Sequence, residues 1–166
     1  MKNFIIFTIT LLATNLGAQG TLYIENYSNY PFAARIVAGN QQNCTPEAVG
    51  SFNFPGNYQV SIPNFNGSLP TVSSWSVRLS PTGNVMMQSP PNSGILNTIS
   101  GLTRWEFCSL QSLDPNTGQP TNDIDFFMGD PNFSNCWQGN DFVDGNLTDA
   151  FWFYLPTTNT TYLVIQ

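Results

Sequence analysis

The sequence predicts an all-β protein: an antiparallel β-sandwich, immunoglobulin-like or jelly-roll-like, with about seven to ten short strands and little helix. Three observations predict this class. Apolar and polar residues alternate over short stretches, and clusters of Gly, Pro, Asn and Ser separate these stretches. Apolar residues nowhere recur at helical spacing over three turns. A closed barrel is the alternative architecture that fits the same pattern.

The alternation is clearest in the middle of the chain, at residues 72–87. Trp75, Val77 and Leu79 alternate with Ser and Arg, which places the three apolar side chains on one face of a strand. The Pro-Thr-Gly-Asn segment that follows Ser80 contains the residues that tight turns need. Residues 85–87 can return as the partner strand, so this stretch is predicted to form a β-hairpin.

The other predicted strands are short, apolar or alternating, and bounded by turn residues. In chain order they lie at residues 21–25, 32–38, 58–62, 95–99, 103–110, 124–128, 150–155 and 161–165. The strand at 124–128 is predicted to pair with 103–110, and the last two strands are predicted to form a closing hairpin. Residues 39–55 and 129–148 are rich in Asn, Gln, Gly and Asp and are predicted to be loops.

The first twenty residues have the composition of a secretory signal peptide. Lys2 precedes an apolar run at residues 4–13, and small residues follow at Gly17 and Ala18. The run is too short to span a bilayer comfortably. We therefore expect residues 1–20 to be a signal peptide and residues 21–166 to be a single domain without membrane insertion of the mature chain. The expected location is extracellular, at the cell surface or in the periplasm.

The charge of the chain argues against two classes of partner. Lys and Arg number 4 against 10 Asp and Glu, and the formal net charge is −6. Such an acidic chain has no basic surface for phosphates, so nucleic acid and anionic membranes are unexpected partners. Only 8% of the residues are charged, and the polarity comes mainly from Asn, Ser and Thr. Neutral polar surfaces of this kind suit the recognition of sugars.

The three cysteines predict one disulfide and one free thiol in an exported protein. Cys44 and Cys136 lie in predicted long loops, where a cross-link restricts the unfolded chain most. Cys108 lies inside a predicted strand, where it would act as a small buried apolar residue. We therefore predict a disulfide between Cys44 and Cys136, with Cys108 reduced.

The sequence excludes several catalytic mechanisms. It contains no histidine, which removes the usual Ser-His-Asp and Cys-His arrangements, and no lysine follows Lys2. The mechanisms that remain are those that use carboxyl groups. One of them is glycoside hydrolysis, which needs two carboxyl groups close together. Glu106 is predicted to form a surface ion pair with Arg104, two residues away on the same strand. A carboxylate-dependent glycoside hydrolase is therefore kept only as an alternative function.

Acidic residues near the C-terminal end of the chain admit two interpretations. Asp123, Asp125, Asp141 and Asp144 lie among Asn and Gly residues that also carry oxygen ligands. Calcium takes six to eight such oxygens, so these four residues are candidate calcium ligands. The spacing matches no fixed calcium loop, and the alternative is a solvated acidic loop. No other cofactor is indicated.

Aromatic residues provide the candidate binding site. Trp137, Tyr27 and Tyr30 lie in predicted loops beside Asn residues, a combination that suits stacking on a sugar ring or docking into a protein pocket. The alternative is that these rings fold back over the ends of the sandwich. Residues 151–154 are four consecutive aromatics in a predicted strand, so their side chains point alternately to its two faces. That strand is either buried on both faces or presents one pair of rings to a partner.

These features predict an exported protein that binds rather than catalyses. The first hypothesis is a binding or assembly module at a bacterial cell surface that pairs with another envelope or secreted protein, since uncharged sheet edges can accept a further strand. The second is a carbohydrate-binding module.

Overall fold

The computed structural model describes residues 19–132 and 136–166, which form a sandwich of two β-sheets and confirm the predicted fold class. Apart from Gln19 and Gly20, the predicted signal peptide lies outside the described residues. The described part of the chain forms eleven strands and one short helix. In chain order these are β1 (Thr21–Asn26), β2 (Phe32–Gly39), β3 (Glu47–Phe54), β4 (Tyr58–Ile62), β5 (Trp75–Arg78), β6 (Met86–Gln88), α1 (Gly94–Ser100), β7 (Arg104–Ser112), β8 (Phe126–Gly129), β9 (Phe142–Asp144), β10 (Asp149–Leu155) and β11 (Thr160–Ile165).

The strands divide into a five-stranded and a six-stranded sheet. The five-stranded sheet has the order β4-β1-β11-β10-β9, and the six-stranded sheet has the order β6-β5-β3-β2-β7-β8. Neighbouring strands run antiparallel except β1 and β11, which are parallel. The predicted central hairpin is formed by β5 and β6, and the predicted closing hairpin by β10 and β11. The predicted pairing of residues 124–128 with 103–110 is observed between β7 and β8.

The core lies between the sheets and is built from the inward-facing alternate residues of both. The Phe65 ring contacts the Trp75 and Trp105 rings edge-on, with centroids 4.8 and 5.7 Å apart. All three side chains are at most 1% exposed. Phe65 comes from the loop between β4 and β5, so this loop completes the core at one end of the sandwich.

One predicted strand is a helix. Residues 95–99 lie in α1, where the Ser93 side chain caps the N-terminus by accepting a hydrogen bond from the Leu96 N–H. Leu96 and Ile99 are buried and lie three residues apart, on the same side of the helix. The helix is too short for the three-turn periodicity by which sequence reasoning recognises helices.

Two predicted loops contain strands, which brings the number of strands above the expected range. Within residues 39–55, β3 alternates Ala48 and Gly50 inward with Val49 and Ser51 outward. The small inward residues concealed the alternation. Within residues 129–148, the three-residue β9 pairs with β10. Leu79, which was predicted to share the apolar face of Trp75 and Val77, lies beyond the end of β5 and is 47% exposed.

The predicted cysteine pairing is confirmed. Cys44 and Cys136 form a disulfide with Cα atoms 5.4 Å apart, and it ties the β2–β3 loop to the segment that precedes Trp137. Cys108 is a free, fully buried thiol in β7, and its burial raises the pKa well above the usual range. Among the described residues, no helix has the length and apolar character needed to cross a membrane.

Candidate functional site

The outer face of the six-stranded sheet carries an open groove that runs across its strands. Successive side chains of a strand point to opposite faces of the sheet. This alternation places Arg35 of β2, Ser51 of β3 and Ser76 of β5 on the face away from the core. Ser109 of β7 and Phe127 of β8 continue this face on the other side of β2. Its lining therefore mixes neutral polar side chains with apolar ones, such as Val49 and Leu110, and with charged ones, such as Arg78 and Asp125.

The groove consists of two adjoining depressions that share Arg35 and Ser51. The first has a volume of about 610 Å³ and is bordered by Glu47, Met87 and Trp137. The second has a volume of about 410 Å³, and its lining side chains include Asn53, Gln111, Asp125 and Phe127. Phe127 is 50% exposed. The Trp137 and Phe127 rings flank the Phe107 ring, with centroids 5.4 and 6.2 Å from it, and the Arg35 guanidinium carbon lies 5.2 Å from the Trp137 centroid.

Trp137, the first of the sequence-predicted site residues, borders this groove and is fixed in place by three contacts. Its ring stacks on Phe107 with centroids 5.4 Å apart, and the Arg35 guanidinium carbon lies 5.2 Å from its centroid. The indole N–H donates a hydrogen bond to Glu47 Oε2 at 3.3 Å. The neighbouring Cys44–Cys136 disulfide anchors its backbone. The indole is half-buried and held in one orientation, as a stacking platform requires.

An irregularity in β7 brings Phe107 under this indole. The register between β2 and β7 shifts between Val37 and Ala38, so Glu106 is an extra residue in β7. Trp105 consequently faces the core whereas Phe107, two residues on, faces the groove side and contacts Trp137. A bulge of this kind leaves no clear signal in a single sequence.

The same bulge buries Glu106, which corrects the predicted surface ion pair with Arg104. Glu106 is 1% exposed, and neither of its carboxyl oxygens has a hydrogen-bond partner. The guanidinium carbon of Arg104 lies 3.7 Å from the ring centroid of Tyr154, and Arg104 donates a hydrogen bond to Gln41. A Cβ atom at position 39 would meet the Glu106 carboxyl group, so a larger residue there would force the Glu106 side chain to move.

Glu47 and Glu106 form an asymmetric pair of carboxyl groups beside Trp137. Burial, and secondly the negative charge of Glu47, raise the pKa of Glu106 to about 8. Glu47 is 7% exposed and forms an ion pair with Arg78 at 2.7 Å. A neutral acid beside an ionised one is the pairing that acid–base catalysis uses. Glu47 borders the groove, but Glu106 does not line it, so a ligand in the groove contacts only the ionised partner.

The structure places Tyr27 and Tyr30 away from Trp137. Both lie in the loop that leads into the first residue of β2, whereas Trp137 contacts Glu47, which pairs with the last residue of β2. Tyr27 is 52% exposed and its hydroxyl donates a hydrogen bond to Glu25. Tyr30 packs against the core. The three predicted site residues therefore do not form one contiguous surface.

The four candidate calcium ligands do not converge either. One carboxylate oxygen of Asp123 accepts hydrogen bonds from the backbone N–H groups of Ile124, Asn146 and Leu147, so Asp123 fixes the turn before β10. Asp125 accepts a hydrogen bond from Gln111 in the groove. Within residues 19–132 and 136–166, no three acidic, Cys or His side chains gather closely enough to hold a metal ion. This finding covers Asp141 and Asp144 as well.

A second aromatic surface lies on the opposite side of the molecule. On the outer face of the five-stranded sheet, the Tyr162 ring stacks between Tyr23 and Phe153, with centroids 5.1 and 4.9 Å away. Phe142 and Phe151 form the next contact, at 4.8 Å. We call these five residues the aromatic row. Of the aromatic run at 151–154, Phe151 and Phe153 thus face outward, while Trp152 faces the core.

Comparison of the chain with protein-family models, with curated proteins and with solved structures finds no match.

Proposed function

We propose that the protein is an exported carbohydrate-binding module, without catalytic activity of its own, that holds an extended glycan in the groove of the six-stranded sheet. The observation that carries this proposal is the groove itself: an open groove whose lining includes Ser, Asn and Gln side chains together with the Trp137 and Phe127 rings, which flank Phe107. Sugar rings present apolar C–H faces to aromatic rings and hydroxyl groups to amides and hydroxyls. The groove provides both kinds of partner.

The dimensions of the groove suit a chain of several sugars. It crosses the sheet from Met87 beside β6 to Phe127 on β8, and neighbouring strands lie about 4.8 Å apart. Five such spacings give a path of roughly 24 Å, and both of its depressions are open to solvent. Arg35 in the middle would favour an acidic group on the bound glycan, because it is an exposed cation at the point that the two depressions share.

The aromatic row supports a second candidate function, an assembly module that binds another envelope or secreted protein at a bacterial cell surface. Tyr23, Phe142 and Phe153 are 37%, 49% and 43% exposed. Aromatic rings are enriched at the centres of protein interfaces, where they bury large areas at little cost in side-chain entropy. In this proposal the partner covers the five-stranded sheet and the groove stays free.

One experiment distinguishes the two candidates. The purified protein is screened on an array of neutral and acidic polysaccharides, and the best ligand is titrated by calorimetry against Trp137→Ala, Phe127→Ala and Phe153→Ala. Loss of a stacking ring should weaken glycan binding about tenfold, equivalent to ~1.4 kcal/mol. We expect this loss for the two groove variants, whereas Phe153→Ala should bind as tightly as the wild type.

Two outcomes would count against the groove. If no polysaccharide binds, or if Phe153→Ala loses affinity while both groove variants keep it, the groove is not a glycan-binding site. Tyr27→Ala is a further control. Tyr27 lies at the other end of β2 from Trp137, so this variant should bind the glycan as tightly as the wild type. Thermal melting of each variant establishes that it is folded. Trp137→Ala should melt within a few degrees of the wild type, because Trp137 lies outside the core.

A further inference from the structure

Gln19 and Gly20, the two residues before β1, form hydrogen bonds with the rest of the domain. Gln19 is 2% exposed, and its backbone N–H donates a hydrogen bond to the Ser100 carbonyl at 2.7 Å. The Ser100 hydroxyl donates in turn to the side-chain Oε1 of Gln19 at 3.2 Å. The Gly20 carbonyl accepts a hydrogen bond from the buried indole N–H of Trp105 at 2.9 Å. Both residues therefore contribute contacts that the folded domain uses.

One atom of Gln19 has no role in this arrangement. Its side-chain Nε2 is buried and has no hydrogen-bond partner. A buried amide nitrogen without a partner is destabilising, and native proteins leave few such groups. The backbone nitrogen and the side-chain oxygen of the same residue both contact Ser100.

We propose that Gln19 is the N-terminal residue of the mature chain and that it is converted to pyroglutamate. The sequence predicts a signal peptide over residues 1–20; this inference places its cleavage two residues earlier, after Ala18, and it is independent of the ligand that the groove binds. In the reaction the free α-amine of Gln19 attacks the amide carbon Cδ. An N–Cδ bond forms, the Cδ–Nε2 bond breaks, and Nε2 leaves as ammonia. No oxidant, reductant or second substrate takes part.

The product matches the site better than an uncyclised N-terminus does. A free α-amine at Gln19 would carry a positive charge and three protons into a site where one carbonyl, that of Ser100, accepts. The lactam is neutral and keeps one N–H and one carbonyl oxygen on the same edge of its ring. These are the two groups that contact Ser100, and the atom lost as ammonia is the one without a partner.

The same contacts favour cleavage before Gln19 over cleavage after Gly20. Ala18 and Gly20 are both small enough to precede a signal-peptidase cut. Cleavage after Gly20 would remove the carbonyl that accepts from Trp105 and would leave a buried indole N–H without an acceptor. Cleavage after Ala18 keeps every contact described above.

The test uses the complete chain with its own N-terminal segment, expressed in a bacterium that exports it. Mass spectrometry of the undigested exported protein should give a chain that begins at Gln19 and is lighter by one ammonia molecule. A chain that begins at Gln19 with a free amine, or at any other residue including Met1, would overturn the proposal. Gln19→Asn is the matched control, because its shorter side chain cannot close a five-membered ring. This variant should keep a free amine and melt at a lower temperature.

A second measurement tests whether the lactam is seated against Ser100. A pyroglutamate-specific aminopeptidase should remove the N-terminal residue from the denatured protein but leave the folded protein intact, because Gln19 is buried. Equal rates of removal from the folded and denatured forms would contradict the proposal.

Discussion

At the scale of single residues, the Glu106 carboxyl group is the most unusual feature of the molecule. It is buried beside the negative charge of Glu47 and makes no hydrogen bond of good geometry, although the Trp137 backbone N–H offsets part of the rise in its pKa. An isolated buried carboxylate is far more costly than a neutral carboxylic acid, which explains why its pKa rises to about 8. At neutral pH the group is therefore mainly protonated. Its ionisation couples the stability of the groove wall to pH.

The stability of the protein should consequently fall as the pH rises from about 4.5 to 8. The folded protein holds the Glu106 proton up to a pKa of about 8, whereas the unfolded chain releases it near the ordinary value of 4.5. The resulting stabilisation is complete below pH 4.5 and is lost through this window. We expect Glu106→Gln to lack this component. At pH 8.5 it should melt above the wild type, as measured by circular dichroism across the pH range.

The matched control for this prediction is Asp144→Asn, which changes an exposed carboxylate on the other sheet. Its melting profile should retain the pH dependence of the wild type. If Glu106→Gln and the wild type lose stability in parallel between pH 4.5 and 8, the buried carboxyl is not the responsible group.

At the scale of elements, local patterns were predictable and shifts between strands were not. The β5–β6 and β10–β11 hairpins were predicted because each consists of two alternating strands and a turn that are contiguous in sequence. β3 was missed because Gly50 and Ala48 replace the large apolar residues that mark an inward face. The bulge at Glu106 depends on how β7 meets β2, far away in sequence, so the position of Phe107 could not be predicted.

The same distinction holds for the candidate site. Trp137 was chosen as a candidate from the composition of its loop, and the Cys44–Cys136 disulfide was predicted because both cysteines lie in predicted loops whereas Cys108 lies in a predicted strand. Arg35 and Phe127 were not predicted, because a residue on a sheet joins a site only through the strands placed beside it. Tyr27 and Tyr30 illustrate the opposite error: an aromatic residue in a loop need not lie at the same end of a sandwich as another one.

The short helix α1 offers a test at this scale, because a single side chain caps it. Ser93→Ala removes the hydrogen bond to the Leu96 N–H and should cost about 1 kcal/mol of unfolding free energy. Thr98→Ala changes an exposed hydroxyl in the same helix and should stay within about 0.5 kcal/mol of the wild type. Urea denaturation measures both variants, and equal stabilities would show that the cap contributes nothing.

At the scale of the whole molecule, the aromatic row follows from the topology. Tyr23 lies near the start of the described chain and Tyr162 near its end, and they stack because β1 and β11 pair directly. A single sequence provides no signal for this pairing, so the run at residues 151–154 was the only part of the row that could be noticed. The topology also puts the row and the groove on opposite faces, where they can be occupied independently.

The parallel pairing of β1 and β11 also determines how the domain resists a pulling force. The start of β1 and the end of β11 lie at opposite ends of the pair, with six residue pairs between them. Tension applied at Gly20 and Gln166 therefore shears this ladder and loads its hydrogen bonds together. Tension applied at Tyr27 and Gln166, which lie at the same end, peels the bonds one after another. Single-molecule force spectroscopy should give the higher rupture force for the first pair of attachment points, and equal forces would contradict this pairing.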